Sequence, residues 1–344
     1  MIKVSIIIPH HNNQDILISC IDSLQKLDYT NYEIIVVDNN SNDGSIEYVK
    51  NNYQDVIIVN AKKNLGYAGG CNLGAQQANG EYFLFLNNDT IHEKNFLDIL
   101  VSRLDENRNI SSIQPKILNI KDKNYFDYAG ASGGYLDYLV FPFTRGRIFN
   151  TIEKDTGQYD DFSKIFWASG AGFITRKNVF NKINGFDNSL FAHMEEIDYH
   201  WKSYLMGFEV WVEPKSIIYH HGGKTLSYMS SIKTYLNHRN SLILLLSNYH
   251  LGLSIYLFLI RFFLEIISSI KELCSLRISH FMAHYKSLLW VLFNIKVIKR
   301  KRKEIAKIRI KSDIELMNDK VILNKSIVKI YYIFLKKKYS EIIK

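Results

Sequence analysis

Asn87, Asn88 and Asp89 place two amides and one carboxylate directly behind an apolar run, Tyr82 to Leu86. That run has the make-up of a buried strand in a parallel sheet. Ligands of open α/β sheets sit beyond the carboxyl ends of the strands, so an Asp there, with no Lys or Arg beside it, is a candidate for handling a metal ion or a phosphate. The alternative is an Asx turn in which Asp89 or Thr90 caps the next helix. Three more polar stretches follow apolar runs in the same way: Pro9 to Asn12 after residues 2–8, Asp38 to Ser45 after 33–37, and the glycine-rich Lys62 to Asn72 after 56–59. Glycines in the third let a backbone approach a ligand closely. No Gly-Lys-Ser/Thr follows them, and they come after the third strand, so they form neither a phosphate-binding P-loop nor a dinucleotide fingerprint.

The elements that must position these ends alternate as β-α-β-α-β-α-β, which implies a parallel sheet with helices on both faces. Leu17, Ile21 and Leu24 recur at helical spacing between the first two strands. A helix is expected over 93–104 and a strand over 113–118, whereas the glycines and aromatics of 119–165 suggest loops and short antiparallel strands. Residues 166–175 are strand-like but broken by Gly170 and Gly172. Glu195 to Met206 reads as a helix closed by Gly207. Its first-turn acids are favoured by the helix dipole whether or not they do chemistry, and Asp198 and Lys202 form an i,i+4 pair. Two strands on either side of Pro214 lead to His220-His221.

The chain has 344 residues, 47% of them hydrophobic and 22% charged, which suits one large domain with an appendage. Three distant cysteines fit a reducing compartment better than a disulfide framework, and the start of the chain shows no signal peptide, so the expected location is cytoplasmic. Residues 286–311 hold ten Lys or Arg against Glu304 alone, which accounts for the net charge of +9. Just before them, Tyr249 to Ile270 forms an apolar stretch of 22 residues. Arg261 and Glu265 near its middle would each cost roughly 2.5–3.5 kcal/mol in a bilayer, so a helix in the interface plane or packed on the protein is favoured over a span. Phe281 to Ile298 is a second apolar segment and runs into Lys299 to Lys303. This composition suits an anionic membrane surface, at about 1 kcal/mol per basic residue, with a solvated basic helix as the alternative. No nucleic-acid reader motif accompanies the charge, and nothing in the sequence speaks to oligomeric state.

Taken together, VVDNNSNDGS (36–45), NLGYAGGCN (64–72), LNNDT (86–90), GFDNSLFAHMEEIDYHWK (185–202) and YHHGG (219–223) resemble the family 2 glycosyltransferases. The resemblance covers roughly residues 2–245 and is closest to the rhamnosyltransferase-like branch that builds bacterial surface polysaccharides such as O-antigen or capsule. It implies a GT-A fold, a Rossmann-like mixed α/β sheet flanked by helices. A catalytic domain would occupy 1–245, with a donor nucleotide half at 1–118 and an acceptor half at 119–245. A helical, basic, membrane-associated region would fill 246–344.

The same resemblance implies an inverting transfer of a sugar, rhamnose among the candidates, from a dTDP- or UDP-sugar to a lipid-linked glycan. The nucleotide-sugar would meet Pro9, His11, Asn12, Asp38, Asn40, Lys63, Asn64, Gly66, Asn72, Asn88 and Arg239. Mg²⁺ or Mn²⁺ would be held by Asp89, Asn87 and His220, with His221 the near alternative. Glu196 would be the base, with Glu195 second; Trp167, Gly170, Asp187 and Asp198 would line the acceptor side. Two departures stand out: Asn87 replaces the first Asp of the metal motif, and Glu196 stands where the family more often has Asp. These leave open a silent scaffold for a polysaccharide assembly complex. A nucleotidyltransferase is disfavoured, because His10 to Asn13 is not the basic glycine-rich loop it needs after strand one.

Overall fold

A computed structural model of the chain describes residues 2–222 and 230–342. The expected alternation is realised as β1 (Val4–His10), α1 (Gln14–Leu24), β2 (Tyr32–Asp38), α2 (Ser45–Asn52), β3 (Val56–Asn60), α3 (Gly66–Gln77) and β4 (Tyr82–Leu86). Next come β5 (Thr90–His92), α4 (Phe96–Glu106), β6 (Ile110–Asn119) and the short strands β7 (Gly134–Asp137), β8 (Pro142–Thr144), β9 (Arg147–Ile148), β10 (Thr151–Ile152) and β11 (Ser163–Ile165). β12 (Gly172–Arg176), α5 (Lys177–Ile183), α6 (Glu195–Leu205) and β13 (Glu209–His220) complete the sheet-forming part. The remainder is α7 (Ser231–Asn248), α8 (Leu251–Cys274), α9 (Ile278–Phe293), α10 (Ile295–Ile308), α11 (Asp313–Asn318), β14 (Ile322–Leu323) and α12 (Ile327–Tyr332).

The main sheet has the order β11-β13-β6-β12-β4-β1-β2-β3, with β5 joined to β13. β3, β2, β1 and β4 are parallel, and β12 runs antiparallel to both β4 and β6, so the sheet is mixed. Its register aligns His10 with Asp38 and Asp38 with Asn60, which brings the polar strand ends to one edge. β4 sits in the middle with every residue buried. Phe83 and Phe85 face one core, where Phe85 lies 5.0 Å from Phe180 and 5.0 Å from Phe186; Leu84 and Leu86 face the other, with Leu17, Ile21 and Leu97. A strand that is apolar on both faces has no solvent side, which is why its sequence shows no alternation.

Two expectations change in detail. Residues 210–219 form one strand instead of two, with a register shift between Glu213 and Ile217 that accommodates Pro214. Of the stretch 166–175 only the part from Gly172 is a strand.

A second sheet, β10-β9-β8-β7-β14, borrows its last strand from the tail. Ile322 pairs with Leu136, the Ile327 N–H donates to Asp137 at 3.0 Å, and Tyr339 packs 5.1 Å from Tyr135. One apolar core is therefore continuous from Phe85 through Trp201 and Tyr249 to Ile322 and Ile330.

Among the described residues, α8 is the one helix long and apolar enough to cross a membrane, with a mean hydropathy of 1.9 over its best window. Its two charges point inward. Arg261 and Glu265 are 2% and 1% exposed and pair at 2.8 Å. Arg261 also donates to the Leu139 carbonyl at 2.6 Å and Ser241 Oγ at 3.0 Å, while His238 and His284 both reach the Glu265 carboxylate. The outward face carries Leu251, Ile255, Leu259, Phe263, Ile267 and Ile270, all exposed. The segment 281–298 divides at Asn294 between α9 and α10, and the basic cluster lies on α10.

Removing one partner of a buried pair leaves a buried charge without its match. Arg261→Met is therefore expected to destabilise the fold by about 3–5 kcal/mol, read as a lower urea midpoint.

Candidate active site

The antiparallel pairing of β5 with β13 sets Thr90 opposite His220. That register brings the His220 imidazole to the end of β4. Its Nε2 lies 3.1 Å from Asp89 Oδ1 and 3.3 Å from Asn87 Nδ2, and its Nδ1 is 2.8 Å from Asp127 Oδ1. All three groups of the Asp89–His220–Asp127 line are buried. Burial opposes charge on His220, but the carboxylates on both ring nitrogens outweigh it and push its pKa up to about 10. Burial likewise works against a charged Asp89, and the His220 charge overcomes it, holding the carboxyl below its ordinary range.

Beyond the ion pair, Asp89 Oδ1 accepts no hydrogen bond. A buried carboxylate oxygen with unused lone pairs, the Asn87 amide and an imidazole backed by a second carboxylate would fit a hard divalent cation, which would take the place of the Nε2 proton that faces Asp89. Asp89 does sit in a turn, with Thr90 Oγ1 donating to the Asn87 carbonyl at 2.8 Å, but it caps no helix, because Thr90 enters β5 and α4 begins only at Phe96.

The same cavity, of about 430 Å³, runs from Asn87, Asp89 and His220 past Trp167 and Gly170 to Glu195 and Glu196 at the start of α6. Burial raises the pKa of both carboxyl groups, and Glu196 raises that of Glu195 further. Each has one carboxylate oxygen, Oε2, without a hydrogen-bond partner. The loop that delivers them is strained, for Phe191, His193 and Met194 all have positive φ, at 64°, 66° and 73°. Such residues cost on the order of 1–3 kcal/mol each and persist only where neighbours over-determine them. Here Asn240 Nδ2 donates to the carbonyls of Leu190, Ala192 and His193 at 3.0, 3.1 and 2.7 Å, and Arg239 Nη2 to Ser189 and Leu190 at 3.1 Å. From the other side Ala68 N donates to the Phe191 carbonyl at 3.4 Å. Gly66, with φ of +69°, allows that approach, since a Cβ there would collide with the Phe191 oxygen.

Apart from Asn72 within α3 and Arg239 on α7, the predicted nucleotide residues fall at the carboxyl ends of β1 to β4. Asn12 Oδ1 accepts from Asn42 N at 2.9 Å, Asp38 Oδ1 from Ser41 N at 2.7 Å, and Asn64 Oδ1 from Gly66 N at 2.8 Å. Asn12 and Asn40 adopt positive φ in these turns. Asn88 Nδ2 donates to His10 Nδ1 at 2.8 Å, and His10 Nε2 in turn meets Ser45 Oγ at 2.9 Å. Burial lowers the His10 pKa to about 4, consistent with the neutral ring that accepts from Asn88. His11 and Lys63 are exposed, and Pro9 packs beside Gly70.

None of the predicted nucleotide residues lines this cavity, nor do Asp187 and Asp198, and four of the predicted residues are engaged by other parts of the protein. Asn72 is engaged by Phe186 N and O and by Asn188; Arg239 holds the loop just described; Asp187 pairs with Lys301 of α10; and Asp198 pairs with Lys202 at 2.6 Å and Asn248 at 3.0 Å. Gly223 of the YHHGG motif lies outside the described residues. Conversely, Asp127 and the cavity residue Arg147 had no signal in the sequence beyond being isolated polar groups in a segment without periodicity; His10 stood in the Pro9–Asn12 strand end without a role of its own, and Lys233 in a segment read only as helical.

A mixed sheet with strand-end polar turns, a carboxylate–imidazole corner and a buried acid pair on one cavity defines a GT-A type nucleotide-diphospho-sugar transferase fold. The chain belongs to glycosyl transferase family 2, which matches residues 5–183. It is 26% identical over 187 residues to the glycosyltransferase GlyG of Streptococcus pneumoniae, covering 53% of this chain and 59% of that one. It is 28% identical over 182 residues to the GalNAc(5)-diNAcBac-PP-undecaprenol beta-1,3-glucosyltransferase of Campylobacter jejuni, covering 50% and 58%. The matches span 33%, 59% and 38% of the first three curated relatives.

Among solved structures, S. aureus TarS 1-349 in complex with UDP-GlcNAc superposes with a TM-score of 0.52 at 19% identity, over 74% of this chain and 69% of that one. The mannosyltransferase of Pyrobaculum calidifontis, in complex with GDP-Man and Mn²⁺, does so with 0.51 at 13% identity, over 85% and 87%. These likenesses establish the fold.

Asp127 fixes the His220 ring by holding its Nδ1. Asp127→Asn is therefore expected to weaken Mn²⁺ binding by about 10–100-fold in titration calorimetry.

Proposed function

We propose that the chain is an inverting glycosyltransferase that moves a hexosyl group from a dTDP- or UDP-linked donor to a lipid-linked glycan in surface-polysaccharide assembly. The observation that carries this reading is the single cavity shared by the Asp89–His220 corner and the Glu195–Glu196 pair. The nucleotide lies across the ends of β1 to β4, where Asp38 offers an acceptor to base or ribose donors. The donor half then corresponds to 1–118 and the acceptor half to 119–245. Asp89, His220 and Asn87 would hold Mg²⁺ or Mn²⁺, which would supply positive charge beside the departing diphosphate.

Glu196 takes the proton of the acceptor hydroxyl as that oxygen attacks the anomeric carbon from the face opposite the diphosphate. Its raised pKa suits this work, because a base titrating nearer neutrality accepts the proton more readily. Glu195, which burial and its neighbour keep protonated to higher pH, can donate a hydrogen bond beside it. The Campylobacter relative is named for an undecaprenol-linked acceptor, which supports a lipid carrier here. The exposed apolar face of α8, extended by Met282, Leu289 and Leu292 of α9, together with the basic α10, supports a peripheral site on the cytoplasmic face of the membrane. Rhamnose is the sugar suggested by the branch that the motifs resemble, and it belongs in any donor screen beside glucose and N-acetylhexosamines.

Glu196→Gln is expected to lower kcat by about 10²–10⁴-fold while nucleoside diphosphate and Mn²⁺ still bind. The active form of the base is the carboxylate, and burial raises its pKa, so activity must rise with pH through a limb above the ordinary Glu range of about 4.3. That limb should be absent from the residual activity of Glu196→Gln. A wild-type chain that releases no nucleoside diphosphate from any screened donor, with either ion, would overturn the reading.

A further inference from the structure

Arg147 of β9 lines the same cavity as Glu196 yet is only 7% exposed. Its Nε has no hydrogen-bond partner, and its Nη1 reaches only the Phe149 carbonyl, at 3.5 Å. Among the described residues no carboxylate pairs with it. Arg145, two residues earlier and just as buried, shows the contrast: it forms a two-pronged contact with Asp161 at 3.0 and 3.1 Å and reaches three backbone carbonyls. A buried guanidinium left without an anion is costly, and its planar fork matches a phosphate.

A second cation stands beside it. Lys233, near the start of α7, lines the same wall, and both side chains lie over the ring of Tyr128, at 5.4 Å for Lys233 and 4.2 Å for Arg147. Burial lowers the Lys233 pKa, and the nearby Arg147 charge lowers it further.

The position of the pair separates it from the donor side. Tyr128 follows Asp127, the residue that holds His220, so the basic pair borders the metal corner. It stands on the second sheet and α7, however, not on the ends of β1 to β4. The cavity wall around it carries Phe141, Phe149 and Tyr332, and Arg261 of α8 contributes from the helix whose other face is exposed and apolar.

We propose that Arg147 and Lys233 form a phosphate subsite for the acceptor. The group whose hydroxyl reaches Glu196 then carries a phosphate or diphosphate that lies in the same cavity. This rests on the glycosyltransferase reading and narrows its acceptor. Two sources share the chemistry, the diphosphate of a polyprenyl-linked short glycan and the phosphodiester of a polyol-phosphate polymer.

The test uses the full chain saturated with UDP and Mn²⁺, so that the donor diphosphate site is filled. It is titrated with a polyprenyl-diphosphate N-acetylhexosamine in detergent, a ribitol-phosphate oligomer and the matching unphosphorylated sugars. At least one phosphorylated probe should bind about tenfold or more tighter than its unphosphorylated match, and that preference should disappear in Arg147→Gln and in Lys233→Gln. Which of the two binds names the carrier, and either supports the subsite.

Equal binding of phosphorylated and unphosphorylated probes overturns the proposal. So does a loss of UDP affinity in Arg147→Gln, which would assign the arginine to the donor diphosphate. Should Arg147→Gln fail to fold, Lys233→Gln and the charge-preserving Arg147→Lys decide the matter by the same comparison. Failure of the wild type to bind any nucleoside diphosphate would strike the underlying reading instead.

Discussion

The site depends on one register, the pairing of His220 with Thr90. Asp89 and His220 are separated by more than a hundred residues, and neither does anything alone. The pairing also sets the His221 N–H on the Asp89 carbonyl at 3.0 Å, so the backbone of the acidic turn is held by the strand that brings the imidazole. A slip of one residue would turn His220 to the opposite face of the strand. Two things prevent it: β13 is also registered against β6 over most of its length, and the shift at Glu213–Ile217 corrects the register after Pro214. The irregularity in the middle of β13 is thus part of how its end arrives at the right place.

A second constraint works across the cavity. The residues before Glu195 occupy backbone conformations that cost energy, and they are held there by Asn240, Arg239 and the close approach of Gly66. Gly66 begins α3, whereas Asn240 belongs to α7. The acid pair is therefore positioned jointly by the helix that follows β3 and by the first helix of the chain's helical part. Arg239 and Asn72 act on this framework: Arg239 Nε and Nη2 and both polar atoms of the Asn72 amide are engaged by protein groups, so they shape the loop and turn.

How much of this was legible follows from the kind of signal each part leaves. Parallel strands buried on both faces leave continuous apolar runs, and their polar ends stand out; that is why Asp38, Asn87 and Asp89 were readable in the chain, as were the acids of α6 from their motif. The segment 119–165 leaves no such trace. Its strands are two to four residues long and pair partly with β14, which lies far along the chain, so neither period nor length marks them. Asp127 and Arg147 are in that segment. An isolated Asp between Phe126 and Tyr128 looks like any turn residue until a strand from elsewhere sets an imidazole against it. The glycines of the third strand-end loop illustrate the converse. Their small size was legible, but Gly66 uses it on Phe191 and Gly70 on Asn39 and Pro9, all within the protein.

The tail resolves an apparent contradiction in its own sequence. A helix of 24 residues with a mean hydropathy of 1.9 and two charges near its centre suits neither a span nor a solvated surface. The fold separates the two properties by face. Arg261 and Glu265 turn toward α7 and α9, where His238, His284, Ser241 and the Leu139 carbonyl satisfy them, and the apolar residues remain outside. Because Arg261 also stands on the wall of the cavity, the same helix borders that cavity inwardly and presents an apolar stripe outwardly. A substrate with a polar, phosphorylated end and a long hydrocarbon chain matches such a helix on both faces, whereas a freely soluble sugar would use only one.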